Sequence, residues 1–235
     1  MTGYLRSLAL VAIWTVLALP VALVAFPWTL LTGDTNLLFE VSFWITRTGL
    51  QVVGVRVIQR ERRNLPVGAA ILMANHTSNL DPPAFVTVLP QPLAIYLKDS
   101  LMRIPVLGYA MRLGGFIPVR RDGTAKSAKQ AAQAASRALQ QGRRLVIFPE
   151  GTRSRDGNLL PFKNGPFLLA MEAGVPVVPV AIAGTTALLP KGSLSLNHGT
   201  VTLTFQPALR PEEYASPEAL SAAVRESIAE GLRVT

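Results

Sequence analysis

The sequence predicts an α/β fold: a mostly parallel sheet flanked by helices, with an N-terminal apolar helical hairpin. Three observations carry this. Short apolar, β-branched runs alternate with helical segments from Ala69 onward, the order that builds a parallel sheet covered on both faces. Two of those runs lead straight into polar segments, Asn75-His76 and Glu150-Gly151, which is where open α/β sheets carry their ligand sites. The apolar excess is concentrated at the start of the chain, where Leu8 to Leu31 form a run of 24 residues with no charge.

That run is long enough to cross a hydrocarbon core, which needs about 20 residues. It lacks a small-x-small cleavage site before a polar chain, so it reads as a retained anchor rather than a cleaved signal. Pro20 and Pro27 predict a kink, and with it a bent or re-entrant element. After the polar break Thr32 to Asn36, a second apolar stretch runs from Leu37 to Val57, interrupted by Glu40, Arg47, Gln51 and Arg56. The pair is expected to form a membrane-associated helical hairpin over residues 1–57, leaving residues 58–235 as the second domain. Strands are expected at Ala69 to Ala74, Leu93 to Leu97, Phe116 to Val119, Leu145 to Phe148, Val177 to Ile182 and Val201 to Phe205. A helix from Thr124 to Gln141 has Thr124 as its N-cap and Gly142 as its stop. Another spans Pro166 to Ala173, closed by Gly174. The last, Pro217 to Arg233, places Leu220, Val224, Ile228 and Leu232 at steps of four, a stripe for packing on the sheet.

Charge and residue usage narrow the chemistry. Charged residues make up only 16% of the 235 residues, against roughly 25% in an ordinary soluble domain. Between Arg56 and Lys163 there are 17 Lys or Arg against six Asp or Glu, which fits an anionic membrane surface or a phosphorylated substrate. Nucleic acid is the rival partner, but no such motif is present, and the aromatics, 7% of the chain, do not interleave with the basic residues. With no cysteine, thiolate nucleophiles and cysteine metal sites are excluded. The two histidines, His76 and His198, show no metal-ligand spacing; neither a metal nor another cofactor is expected. His198, in a Leu-Asn-His-Gly turn, reads as structural.

The most informative segment is Asn75-His76-Thr77-Ser78-Asn79-Leu80-Asp81-Pro82. If the turn folds back, Asp81 can hold one nitrogen of the His76 ring and leave the other free to take a proton. The same residues also fit a surface turn in which Asp81 merely caps a helix, with Pro82 at its first position. Phe148-Pro149-Glu150-Gly151-Thr152-Arg153-Ser154 offers a glycine for close backbone approach and donors for a phosphate; a plain β-turn fits it too. Gly114 to Arg121 is a glycine turn, a short strand and two guanidiniums suited to phosphate or carboxylate. Val175 to Val180 is an apolar wall or a buried strand.

In this order and spacing, the four blocks resemble the glycerolipid acyltransferase family, most closely the 1-acylglycerol-3-phosphate acyltransferases. The resemblance runs from about Ala69 to Gly184, with Lys98-x-x-Leu101-x-x-x-Pro105-x-x-Gly108 and Phe162-Lys163-x-Gly165 similar to the family's intervening stretches. It implies that His76, oriented by Asp81, removes a proton from the hydroxyl of a lysophospholipid acceptor. That oxygen then attacks the thioester of an acyl-CoA or acyl carrier protein co-substrate, with no covalent acyl-enzyme. It also implies acceptor binding by Arg121, Arg153, Lys98 and Lys163, with Glu150, Gly151 and Thr152 shaping the pocket. The family's arginine aligns with Arg121, with Arg120 beside it as the alternative. The basic residues after the hairpin point to a cell-membrane protein whose catalytic domain faces the cytoplasm. Transfer to another lysolipid, such as a lyso-ornithine lipid, transacylation between phospholipids, and non-catalytic lipid binding on the same scaffold remain open readings.

Overall fold

The computed structural model describes residues 1–89, 92–120 and 124–234. The first helix, α1, spans Gly3–Thr32. Thr2 caps it by accepting from the Leu5 amide, and Gly33, at φ +71°, ends it. The helix continues across Pro20 and Pro27 as one element. Each proline removes one backbone hydrogen bond, too little to end a helix of 30 residues. It is apolar on every side and long enough to span a bilayer by length and composition. α2, Asn36–Val52, packs back along it. Gly49 allows the close approach: a β-carbon there would sit 2.3 Å from Trp14 Nε1.

The second apolar stretch then changes structure. It was expected to be helical throughout, but the helix stops at Val52, and Gly54, at φ +80°, turns the chain into a strand, β1, Val55–Arg60. The sheet therefore begins inside the stretch assigned to the hairpin. The other elements are β2 (Ala70–Ala74), α3 (Asp81–Val88), β3 (Leu93–Lys98), α4 (Leu107–Leu113), β4 (Ile117–Val119), α5 (Ala125–Gln140), β5 (Arg144–Ile147), α6 (Gly165–Ala173), β6 (Val177–Ala183), α7 (Thr185–Leu188), β7 (Gly199–Phe205) and α8 (Pro217–Arg233). The expected caps hold: the Thr124 hydroxyl accepts from Ser127 N, and Gly142 and Gly174 take positive φ past their helix ends.

The seven strands lie in the order β1-β7-β6-β2-β5-β3-β4. β6, β2, β5, β3 and β4 are mutually parallel, while β7 is antiparallel to β6 and parallel to β1. β2 is central and wholly buried. Its side chains alternate as a pleated strand requires: Leu72 and Ala74 join a core containing residues of α2 and α3. Ile71 and Met73 face a second core with Ala135 of α5, Phe167 of α6, and Leu220, Val224 and Ile228 of α8. Each of the Leu, Ile, Val, Met and Phe side chains among these contributes about 1.5–3 kcal/mol on burial, so the platform under the β2 carboxyl end is firm.

Candidate active site

The strand order brings the motif blocks together. β2, β5, β3 and β4 are neighbours and run the same way. His76 (after β2), Glu150 to Ser154 (after β5), Lys98 (the last residue of β3) and Arg120 (after β4) thus share one edge of the sheet. Strands are about 4.8 Å apart, so Lys98 lies two strand spacings from the histidine block. Arg121, the arginine favoured from the sequence, lies outside the described residues, and Arg120 is exposed beside it.

The turn after β2 folds back. The Nδ1 of His76 lies 2.7 Å from Oδ2 of Asp81, and the same oxygen accepts from the amides of Thr77 (2.8 Å) and Ser78 (2.9 Å). Asp81 is fully buried, whereas the histidine side chain keeps 13% exposure. Asp81 is not the N-cap. It occupies the first helical position of α3, with Leu80 before it, because its carboxylate already serves the turn behind. The ring of His76 stacks on Phe148, with centroids 4.1 Å apart and planes at 21°. That contact fixes the ring plane, and Nε2 makes no hydrogen bond among the described residues.

The backbone around the histidine is braced from β5 and β6. The buried Glu150 accepts from the His76 amide through Oε1 (2.8 Å) and from the Leu160 amide through Oε2 (3.2 Å). Burial pushes its carboxyl above the usual 4.5, outweighing the two backbone donors that pull it down. The Ser154 amide returns a hydrogen bond to the His76 carbonyl (2.7 Å). Asn75 bonds both backbone groups of Ile182 on β6, and the hydroxyls of Thr77 and Thr185 lie 2.9 Å apart. Glu150 thus sits behind the histidine with both oxygens engaged.

Gly151, at φ +69°, allows the 148–154 turn to form. The Lys163 side chain lies across it so closely that a β-carbon on Gly151 would fall 2.8 Å from Cε. Thr152 and Arg153 are half-buried in the same turn. Sequence reasoning missed one neighbour: Lys191 donates to the Arg153 carbonyl (2.7 Å) and lies 3.4 Å from the Thr152 hydroxyl. It sits beyond the last recognisable block, and nothing in its local sequence signals the contact. His198 is exposed in the turn before β7, across β6 and β7 from β2. Among the described residues, no three His, Cys, Asp or Glu side chains gather as a metal site would require.

The acyltransferase family model matches residues 50–183, more than half of the chain. The chain belongs to the acyltransferase family. This acyltransferase is 34% identical over 174 residues to a chloroplastic 1-acyl-sn-glycerol-3-phosphate acyltransferase of Brassica napus, covering 73% of this chain and 49% of that one. It is 34% identical over 195 residues to a 1-acyl-sn-glycerol-3-phosphate acyltransferase of Chlamydomonas reinhardtii, covering 83% and 58%. The chain thus spans about half the length of these curated relatives. Its fold matches the crystal structure of the 1-acyl-sn-glycerophosphate acyltransferase PlsC from Thermotoga maritima, with a TM-score of 0.86 at 27% identity over 98% of this chain and 94% of that one.

Proposed function

We propose that this acyltransferase moves a fatty acyl group from the thioester of acyl-CoA or acyl carrier protein to the free hydroxyl of 1-acylglycerol-3-phosphate, giving phosphatidic acid. The observation that supports it most is the His76–Asp81 pair at 2.7 Å beside an unengaged Nε2. The carboxylate fixes the ring so that Nε2 carries the lone pair. That nitrogen takes the hydroxyl proton as the oxygen attacks the thioester carbonyl. The tetrahedral intermediate collapses, the carbon–sulfur bond breaks, and the thiolate recovers the proton from the imidazolium. General-base help of this kind is worth about 10² to 10⁴ in rate.

Arg153 and Lys163 stand at the turn beside His76 and would hold the acceptor's phosphate, with Lys98 approaching along the strand edge and Arg121 as the further ligand that the family resemblance implies. The backbone of Gly151 and Thr152 would line that pocket, and Glu150 would keep the His76 backbone in place. The exposed apolar surface of α1 seats the protein on a lipid bilayer. The excess of Lys and Arg after it puts the catalytic domain on the cytoplasmic face. No further cofactor enters the reaction.

The test supplies detergent-solubilised protein with acyl-CoA and a panel of lysolipids, and follows thiol release. Lysophosphatidate is expected to be the preferred acceptor. His76→Ala should lower kcat by at least about 10²-fold while its unfolding temperature stays that of the parent protein. Full activity in that variant would remove the general-base role. Absence of thiol release with every acceptor would remove the transferase reading.

A further inference from the structure

We propose that Lys191 is an additional phosphate ligand of the acceptor site, recognising a phosphomonoester together with Arg153 and Lys163; the identity of that acceptor rests on the function proposed above. Lys191 leaves α7 in a loop and aims its ammonium at the 151–153 turn, donating to the Arg153 carbonyl at 2.7 Å and reaching Thr152 Oγ1 at 3.4 Å. An ammonium has three donors, and the described residues take up no more than two of Lys191's. The Lys163 side chain lies across Gly151 in the same turn, which itself carries Arg153. Ion pairs among the described residues join Arg63 to Glu61, His76 to Asp81 and Arg103 to Asp99, so none of the three cations has a carboxylate. Asp156, the acid next in sequence, is occupied by Ser154 and Asn158.

The two ammoniums and the Arg153 guanidinium, which the turn itself carries, repel one another. A phosphomonoester carrying nearly two negative charges removes the repulsion and offers oxygens to the unused donors. The turn is also tied to the histidine block through the backbone, since the Ser154 amide bonds the His76 carbonyl at 2.7 Å.

The loop that carries Lys191 is held on two sides. The Ser78 hydroxyl donates to the Leu189 carbonyl at 2.7 Å, linking it to the histidine block. Ser7, in the first turns of α1, donates to the Leu194 carbonyl at 2.6 Å, and Leu196 N donates to Gly3 O at 3.1 Å. Lys191 is thereby pre-positioned, which limits the side-chain ordering that binding would otherwise require.

Two variants separate charge from tethering. Lys191→Gln keeps a donor for the Arg153 carbonyl and loses the charge, while Lys191→Arg keeps the charge. Binding of glycerol 3-phosphate to the full chain in detergent is measured by calorimetry, alongside the thiol-release assay. The expected result is a Kd for glycerol 3-phosphate raised about 10-fold or more in Lys191→Gln and largely restored in Lys191→Arg. The KM for the phosphorylated acceptor should follow, with kcat little changed. Wild-type Kd in Lys191→Gln, or a kcat loss with unchanged KM, would overturn the assignment and leave Lys191 as a tether. If the wild-type chain binds glycerol 3-phosphate through Lys191 yet transfers no acyl group, the ligand role stands and the proposed reaction fails.

Discussion

Asp81 is the residue on which the proposed chemistry turns. One of its oxygens takes three donors, the His76 ring and the amides of Thr77 and Ser78, and the other has no partner among the described residues. A fully buried carboxylate with so many donors on one atom holds a particular ring tautomer, the one with hydrogen on Nδ1. Asp81→Asn preserves the shape and an acceptor for the backbone amides but lets the ring present its other tautomer. By analogy with the same substitution in serine protease triads, kcat should fall by about 10⁴, with acceptor KM and fold retained. Thiol-release kinetics and circular dichroism check this together; a loss of less than 10-fold would reduce Asp81 to a turn-forming residue.

At the scale of elements, the site is a matter of loops at the ends of parallel strands tied to one another. Glu150 joins the loop after β5 to the loop after β2 through His76 N and to the 158–162 segment through Leu160 N. Glu150→Gln leaves one of those two amides facing an NH₂ group, which should cost about 1–3 kcal/mol in denaturant unfolding. The cost should depend on pH. Burial raises the Glu150 carboxyl above its usual 4.5, so the native state favours its neutral form. The stability drawn from that form is fully present below pH 4.5 and is lost as pH rises through the raised value. The gap between parent and variant should therefore narrow upward from pH 4.5, and a gap that widens instead would contradict the burial argument. The same scale explains what the sequence made legible. The buried strands of the sheet centre are short apolar runs, and the helices after Thr124, Asn164 and Ser216 carry caps or stops that local chemistry reads directly. β1 was hidden because Val55 and Val57 continue the apolar run of α2; only Gly54 marks the change. The His76–Asp81 contact was legible because both residues lie in one turn. Lys191 reaches a carbonyl 38 residues away, a long-range contact with no local signature.

Across the whole molecule, α1 lies along the rim that bears the site. Its first turns hold residues 194–196, next to the start of β7 and the carboxyl end of β6. Near its far end, Phe26 packs edge-on against Tyr109 of α4, with centroids 5.0 Å apart, beyond the carboxyl end of β3. On the function proposed above, a lysophospholipid held in a bilayer against α1 would have its headgroup near the turn that carries Arg153 while its chain stays in lipid. The outward residues of α1, among them Leu8, Val11, Val16, Leu19, Leu23 and Val24, are exposed, and no packing among the described residues covers them. If they enter the bilayer, replacing Leu19 and Leu23 together by Lys should weaken vesicle association sharply. A lysine at the bilayer centre costs about 2.5 kcal/mol or more, and snorkelling toward the interface lowers that figure. A fall of about 100-fold in partitioning is the resulting expectation. Both positions face away from the sheet (51% and 79% exposed), so the unfolding temperature in detergent should stay near that of the parent, and activity on acceptor dispersed in detergent should survive. Flotation with phospholipid vesicles reads the partitioning directly. Undiminished flotation of the double variant would mean that the molecule meets the membrane through another surface.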